Sequence, residues 1–277
     1  MARKWRCVVC GYVHEGDRPP DQCPVCGVDA SNFEEIKEEG GSPPSSDGHG
    51  PIVIVGGGIA GVMAASAARA ASADAGILLI HDEPGLPYNR LNLTRMIAGE
   101  ISPDELELND ATWYEKNRIT HMHGEVKSIK RDTNEMALAD GKRLSYGRLV
   151  LATGAAPFVP PIPGSGLKGV MPLRTLAHAH EILASVSKGT RCVCIGGGLL
   201  GIELAAGLSK RGGRVTILER TNSLLSRQLA PRGGALLRSI LEGTGIRVIC
   251  DIGVKEMLGA DHVKGVLLES GVVLDAD

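Results

Sequence analysis

The chain has 277 residues, 43% of them hydrophobic and 22% charged, with a formal net charge of -2. That balance belongs to a globular protein of about two ordinary domains and excludes the fibrous and wholly disordered classes. It leaves no electrostatic footprint for nucleic acid or an anionic membrane, and no apolar run approaches the roughly 18 residues that span a bilayer. The N-terminus lacks the apolar core of a secretory signal, so the expectation is a cytoplasmic protein.

Four of the seven cysteines fall within the first 26 residues, a pattern that suits metal ligation in a reducing compartment better than a disulfide framework. Cys7-Val-Val-Cys10 and Cys23-Pro-Val-Cys26 are two Cys-x-x-Cys pairs, each followed by glycine (Gly11, Gly27). Four thiolates so spaced can meet one tetrahedral ion. A unit as small as residues 1–39 needs such a staple, because it cannot bury enough core to hold itself together. Spacing alone favours zinc, although tetrahedral sulfur suits iron as well. Residues 40–50, rich in glycine, serine and proline, read as a flexible linker with a span of about 15 to 20 Å.

Ile52-Val-Ile-Val-Gly-Gly-Gly-Ile-Ala-Gly61 then predicts a strand and a tight turn, with a helix over Val62 to Ala71. Gly56 and Gly58 let the backbone turn and approach a pyrophosphate, Gly61 lets the helix pack on the strand, and the helix N-terminus faces the phosphates. Ile77 to Ile80 reads as a second strand, followed by Asp82 and Glu83 at about the 20-residue distance of a ribose-binding carboxylate. A helix near Asp110 to Asn117 and strands around Val126, Met136 and Leu144 follow, and Arg148 to Gly154 closes a segment assigned to residues 51–166.

The same design recurs in residues 167–277. Arg191 to Gly201 is strand and glycine turn with Gly196, Gly198 and Gly201, Ile202 to Arg211 is the helix, and Arg214 to Glu219 is a strand ending in a carboxylate. Glu219 would accept hydrogen bonds from ribose hydroxyls and repel a 2'-phosphate, which predicts NADH over NADPH; the neighbouring Arg220 weakens that preference. Cys192 and Cys194 are two apart in a strand and face one side, so they read, with Cys250, as core thiols rather than a redox pair.

Trp5-Arg-Cys-Val-Val-Cys-Gly-Tyr12, Cys23-Pro-Val-Cys-Gly27 and Phe33 resemble the short rubredoxin-type module carried by rubrerythrins. The resemblance implies iron held by Cys7, Cys10, Cys23 and Cys26, with zinc as the alternative, and Trp5, Tyr12 and Phe33 as a small aromatic core. From the first glycine turn onward, through Pro87-Tyr-Asn-Arg90, the Leu93-Thr-Arg95 run and Ala152-Thr-Gly154, the chain resembles the pyridine-nucleotide-dependent flavoprotein reductases. The nearest branch holds rubredoxin and ferredoxin reductases, NADH oxidases and the nitrite reductase large subunit. That likeness implies an α/β fold of two tandem Rossmann-like domains, FAD first and NAD(P) second, behind the rubredoxin-like module.

It also implies site residues. Gly56, Gly58 and Gly61 would hold the FAD pyrophosphate, Glu83 the adenosine ribose, Arg90 the length of the cofactor, and Thr153 and Gly154 a turn against FAD. Gly196, Gly198, Gly201 and Glu219 would hold NADH, and Glu203 near the nicotinamide and flavin would pair with Arg95. Arg95 stands where the family usually has lysine, so an ammonium that can lose its proton is absent. Val62 to Ala75 contains no cysteine, which argues against dithiol chemistry at the flavin.

The implied activity carries electrons from NADH through FAD to the tethered iron and on to an external acceptor. The alternatives are a flavoprotein with a zinc-ribbon docking module and a non-catalytic fragment, and a homodimer is left open. The second repeat stops at Asp277, before a counterpart of the Leu149 to Gly154 strand. The expectation is therefore either a fragment or split product or a naturally shortened form, with an open sheet edge and weak FAD retention.

Overall fold

The computed structural model describes residues 3–7, 13–24, 28–35 and 50–277, and the chain divides into two compact units, residues 1–48 and 49–277. In the small unit, β1 (Lys4–Cys7) pairs antiparallel with β2 (Val13–Glu15) and β3 (Phe33–Glu35). Phe33 and Cys23 are buried with Trp5 and Val28 against them, and the Trp5 indole N–H donates to the Gly16 carbonyl at 3.0 Å. Cys10, Cys26, Tyr12, the side chain of Cys7 and residues 40–49 of the expected linker lie outside the described residues.

The large unit opens with β4 (Ile52–Val55), α1 (Ile59–Ala71) and β5 (Ile77–His81), then the short helices α2 (Leu93–Ile97) and α3 (Ala111–Lys116) and the strand β6 (Ile119–His123). Strands β7 (Val126–Lys130), β8 (Glu135–Leu138) and β9 (Arg143–Ser145) form an antiparallel sheet, and β10 (Arg148–Leu151) returns to complete a parallel one in the order β10-β4-β5-β6. Val53, Ile54 and Val55 are all buried, as expected of a parallel strand covered on both faces. Ile54 and Leu79 pack on Val62 and Ala65 of α1, while Val53 and Ile80 pack on Met136 and Leu138 from the antiparallel sheet.

The second half repeats this plan. It runs through α4 (Leu176–Ser185), β11 (Arg191–Ile195), α5 (Leu199–Lys210), β12 (Arg214–Leu218), α6 (Pro231–Gly243) and β13 (Arg247–Ile249). An antiparallel sheet of β14 (Val254–Gly259), β15 (Val263–Leu268) and β16 (Val273–Asp275) follows. The parallel order is β11-β12-β13. Equivalence reaches single hydrogen bonds: Gly147 N–H donates to Pro51 O at 2.9 Å, and Asp277 N–H donates to Arg191 O at 3.0 Å. Among the described residues β11 is an edge strand where β4 has β10 beside it.

Helices α4 and α6 were not anticipated from the sequence. Thr175 and His178 form a capping box that starts α4, and Pro231 sits in the first turn of α6. The two repeats share a core. Leu93, Met96 and Ile97 of α2 are buried with Ile202, Ala205 and Leu208 of α5 across the expected 166/167 boundary. Gly207 allows that approach, since a Cβ there would lie 3.2 Å from the Thr94 carbonyl oxygen. Among the described residues no helix is long and apolar enough to cross a membrane.

Candidate functional site

Both glycine turns follow one stereochemical plan. Gly56 has φ +119° and a Cβ on it would lie 2.0 Å from Ala152 O; Gly61 would collide with Gly56 O at 1.8 Å. In the second repeat Gly196 has φ +110° and Gly201 would meet Gly196 O at 2.1 Å. These glycines are therefore required by the fold itself. Gly58 and Gly198 differ, because each is the N-cap of its helix and a Cβ there meets no protein atom within 4 Å. The space they leave lies at a helix N-terminus, where unpaired backbone N–H groups favour phosphate. A dinucleotide fits that arrangement.

Around the first turn the structure gathers a cleft. Gly58, Glu83, Arg90, Thr153, Gly154 and Arg174 all line it. Glu83 accepts from Arg90 Nη2 at 2.6 Å through Oε1 and from the Tyr88 hydroxyl at 2.5 Å through Oε2. Tyr88 is buried, its hydroxyl also accepting from the Leu176 N–H at 2.8 Å; burial first, and the Glu83 carboxylate second, hold its pKa well above the ordinary phenol value. Arg90 Nη1 donates to Arg174 O at 2.8 Å, and the Arg174 guanidinium lies beside Gly154. Sequence reasoning missed Arg174 and Tyr88. Tyr88 was visible inside the Pro-Tyr-x-Arg run, but nothing local marks Arg174, which reaches the cleft from 84 residues beyond Arg90.

In the second turn Glu219 accepts from Gly197 N–H at 2.6 Å through Oε2, and from Thr221 N–H and hydroxyl at 2.8 and 2.9 Å through Oε1. Burial acts to raise its pKa, but the Thr221 and Gly197 hydrogen bonds outweigh that and leave it below the ordinary carboxylate value. The Arg220 N–H also approaches the carboxylate, so backbone and Thr221 donors hold it in place at the end of β12.

The expected pair of Arg95 and Glu203 is not formed. Arg95 Nε lies 3.3 Å from Glu100, whose other oxygen is 2.5 Å from Lys210 Nζ, and Glu203 instead accepts from the Thr94 hydroxyl at 3.1 Å. Successive residues of α2 are turned about 100° from one another, so burying Thr94 against α5 rotates Arg95 toward solvent. Cys192 and Cys194 do face one side, into the core shared with α5, and burial raises both thiols, Cys194 to about 12. Neither thiol is poised as a nucleophile.

The mixed α/β fold and its two glycine turns are those of a dinucleotide-binding protein. Residues 50–277 match the model of the pyridine nucleotide-disulphide oxidoreductase family, and the chain belongs to that family. Residues 5–34 match that of the rubrerythrin rubredoxin-like domain. The chain is 37% identical to the ferredoxin reductase component of chlorobenzene dioxygenase from Cupriavidus sp. (strain PS12), over 82% of this chain and 55% of that one. It is 32% identical to rubredoxin-NAD(+) reductase of Pseudomonas putida, over 82% of this chain and 60% of that one. The ferredoxin reductase for the CYP199A2 system of Rhodopseudomonas palustris superposes with a TM-score of 0.77 at 30% identity, over 82% of this chain and 57% of that one. This chain therefore spans little more than half the length of these relatives.

Proposed function

We propose that the protein moves electrons from NADH through FAD to an iron centre of rubredoxin type and on to an external acceptor. Its large unit would then be two tandem Rossmann-like domains, FAD bound by residues 51–166 and NADH by residues 167–277, with residues 40–50 tethering the metal module. The observation that supports this best is the first cleft, where an open glycine helix cap, Arg90, Arg174 and the Thr153-Gly154 turn converge.

When bound, the flavin supplies the conversion between two-electron hydride chemistry and the one-electron steps an iron centre accepts. The chain's own residues bind and orient. Gly56, Gly58 and Gly61 shape the pyrophosphate seat, and Arg90 and Arg174 offer positive charge along it. Glu83 fixes Arg90, and Thr153 and Gly154 form the turn beside the cofactor. Gly196, Gly198 and Gly201 repeat the seat for NADH, and Glu219, fixed at the end of β12, is the carboxylate we place against a ribose hydroxyl. Glu203, held by Thr94, is the carboxylate we assign to the nicotinamide side, and Arg95 is a surface cation beside the junction. Cys7, Cys10, Cys23 and Cys26 would hold the iron. Cys23, buried against Phe33, suits a shielded thiolate site.

The names of the relatives favour a small iron–sulfur or rubredoxin-like protein as the class of acceptor. Tethering such a module raises its effective concentration at the flavin. Titrating the protein with FAD tests the reading at its base: a stoichiometric complex supports it, and the absence of binding overturns it.

A further inference from the structure

Glu219 disfavours a 2'-phosphate by its charge, but Arg220 beside it is a cation of the kind that binds one. The structure shows where that cation goes instead. Arg220 Nη2 lies 3.6 Å from Glu269 Oε1, its one ion pair among the described residues. Glu269 comes from the turn after β15, in the antiparallel sheet rather than the one that carries the glycine turn. The Glu219 carboxylate meanwhile faces the glycine turn, its Oε2 accepting from Gly197 N–H at 2.6 Å.

Glu269 is held in place from behind. Its N–H donates to Gly253 O at 2.9 Å, and its carboxylate lies against that glycine: a Cβ on Gly253 would be 2.4 Å from Glu269 Cδ and Oε1 and 2.6 Å from Oε2. Gly253 belongs to the loop after β13, which is bonded back to the segment around Glu219. Ile252 N–H donates to Glu219 O at 3.2 Å, and Asp251 N–H donates to Thr221 O at 2.9 Å. The absence of a side chain at 253 thus lets Glu269 fold over this loop, and the loop sets its carboxylate beside Arg220. The Arg220 side chain is 83% exposed, so the ion pair rather than packing decides where its guanidinium sits.

We propose that Glu269 is a specificity-determining residue: by engaging Arg220 it withholds from a 2'-phosphate the cation next to Glu219, and so favours NADH over NADPH. This rests on the second cradle being the NADH site. Glu219 acts by repelling the phosphate, and Glu269 acts by occupying the charge that would attract it. Sequence order sets Arg220 against the preference, and the ion pair removes that opposition. An exposed pair contributes at most about 1 kcal/mol, which is about fivefold in affinity.

The test is nicotinamide fluorescence titration of the full chain with NADH and with NADPH. Glu269→Gln should bind NADPH about fivefold more tightly than the wild type with NADH unchanged, and the gain should shrink as salt is raised. Arg220→Gln should leave NADPH affinity near the wild-type value, because Arg220 is already engaged, and the double variant Arg220→Gln/Glu269→Gln should lose the gain. Asp251→Asn removes a negative charge from the same loop, at a φ of 58° that asparagine tolerates, and should give no comparable gain. The inference is overturned if Glu269→Gln leaves the ratio of NADPH to NADH affinity unchanged, if the gain survives in the double variant, or if Asp251→Asn matches it. Failure of NADH itself to bind overturns the reading of the second cradle, an outcome distinct from binding with an unaltered ratio.

Discussion

Replacing Tyr88 by phenylalanine removes one oxygen from the centre of the first cleft. That hydroxyl donates to Glu83 at 2.5 Å and accepts from the Leu176 N–H at 2.8 Å and from Arg90 at 3.2 Å, all around a side chain only 7% exposed. A hydrogen bond to a charged acceptor contributes about 1.5 to 3 kcal/mol, and a stranded buried N–H costs about 1 to 3 kcal/mol. The Arg90–Glu83 ion pair survives and water reaches part of the cleft, so the net loss should be about 2 to 4 kcal/mol rather than the sum. Urea unfolding followed by far-UV circular dichroism reads this as a lower midpoint at unchanged slope. FAD affinity should fall as well, because the wall carrying Arg90 must then be ordered on binding. Tyr114→Phe is the control: only the Asn109 side chain approaches its hydroxyl and no bond of good geometry forms there, so its loss should cost little. A Tyr88→Phe loss of under about 0.5 kcal/mol, within the range of an ordinary surface change, would refute the clamp.

The glycines separate folding from binding. Gly61→Ala, whose Cβ would lie 1.8 Å from Gly56 O, should fail to fold, while Gly58→Ala, with no protein atom within 4 Å, should melt normally and lose FAD in titration; the opposite pattern would contradict the cradle. In double-mutant cycles read by urea unfolding, Thr94 and Glu203 should couple by about 0.5 to 1.5 kcal/mol and Arg95 and Glu203 by nearly nothing. Because His81 titrates below its unfolded value of about 6.5, the unfolded chain binds the proton first. Stability should be complete above that pH and decline as pH falls through it toward the folded value, and His81→Phe should flatten the slope measured by melting temperature against pH. Protein expressed with iron should be red when oxidised and bleach on reduction, whereas a colourless protein with stoichiometric zinc would remove the iron assignment.

What could be read along the chain was what local chemistry fixes. The glycine turns, the β-branched strands that feed them and the carboxylate Glu219 are all specified within about 25 residues, and the structure places them in equivalent positions. By register the counterpart of Glu219 in the first repeat is His81, two positions before Glu83. A chain-distance rule counts residues, whereas register is set by which carbonyl Gly56 donates to. Thr94 and Glu203 are 109 positions apart, and their contact depends on α2 leaving its own repeat to pack on α5, which no periodicity in five residues announces. Arg174 likewise enters the cleft only through the crossover to α4.

The measurement that bears most directly on the whole account is anaerobic stopped-flow of the full chain, loaded with FAD and iron, against NADH. The account predicts that the flavin band bleaches first, that the ferric thiolate band follows, and that Gly58→Ala slows both together. A flavin band unchanged by NADH, or an iron band that bleaches at the same rate in protein without FAD, would contradict it.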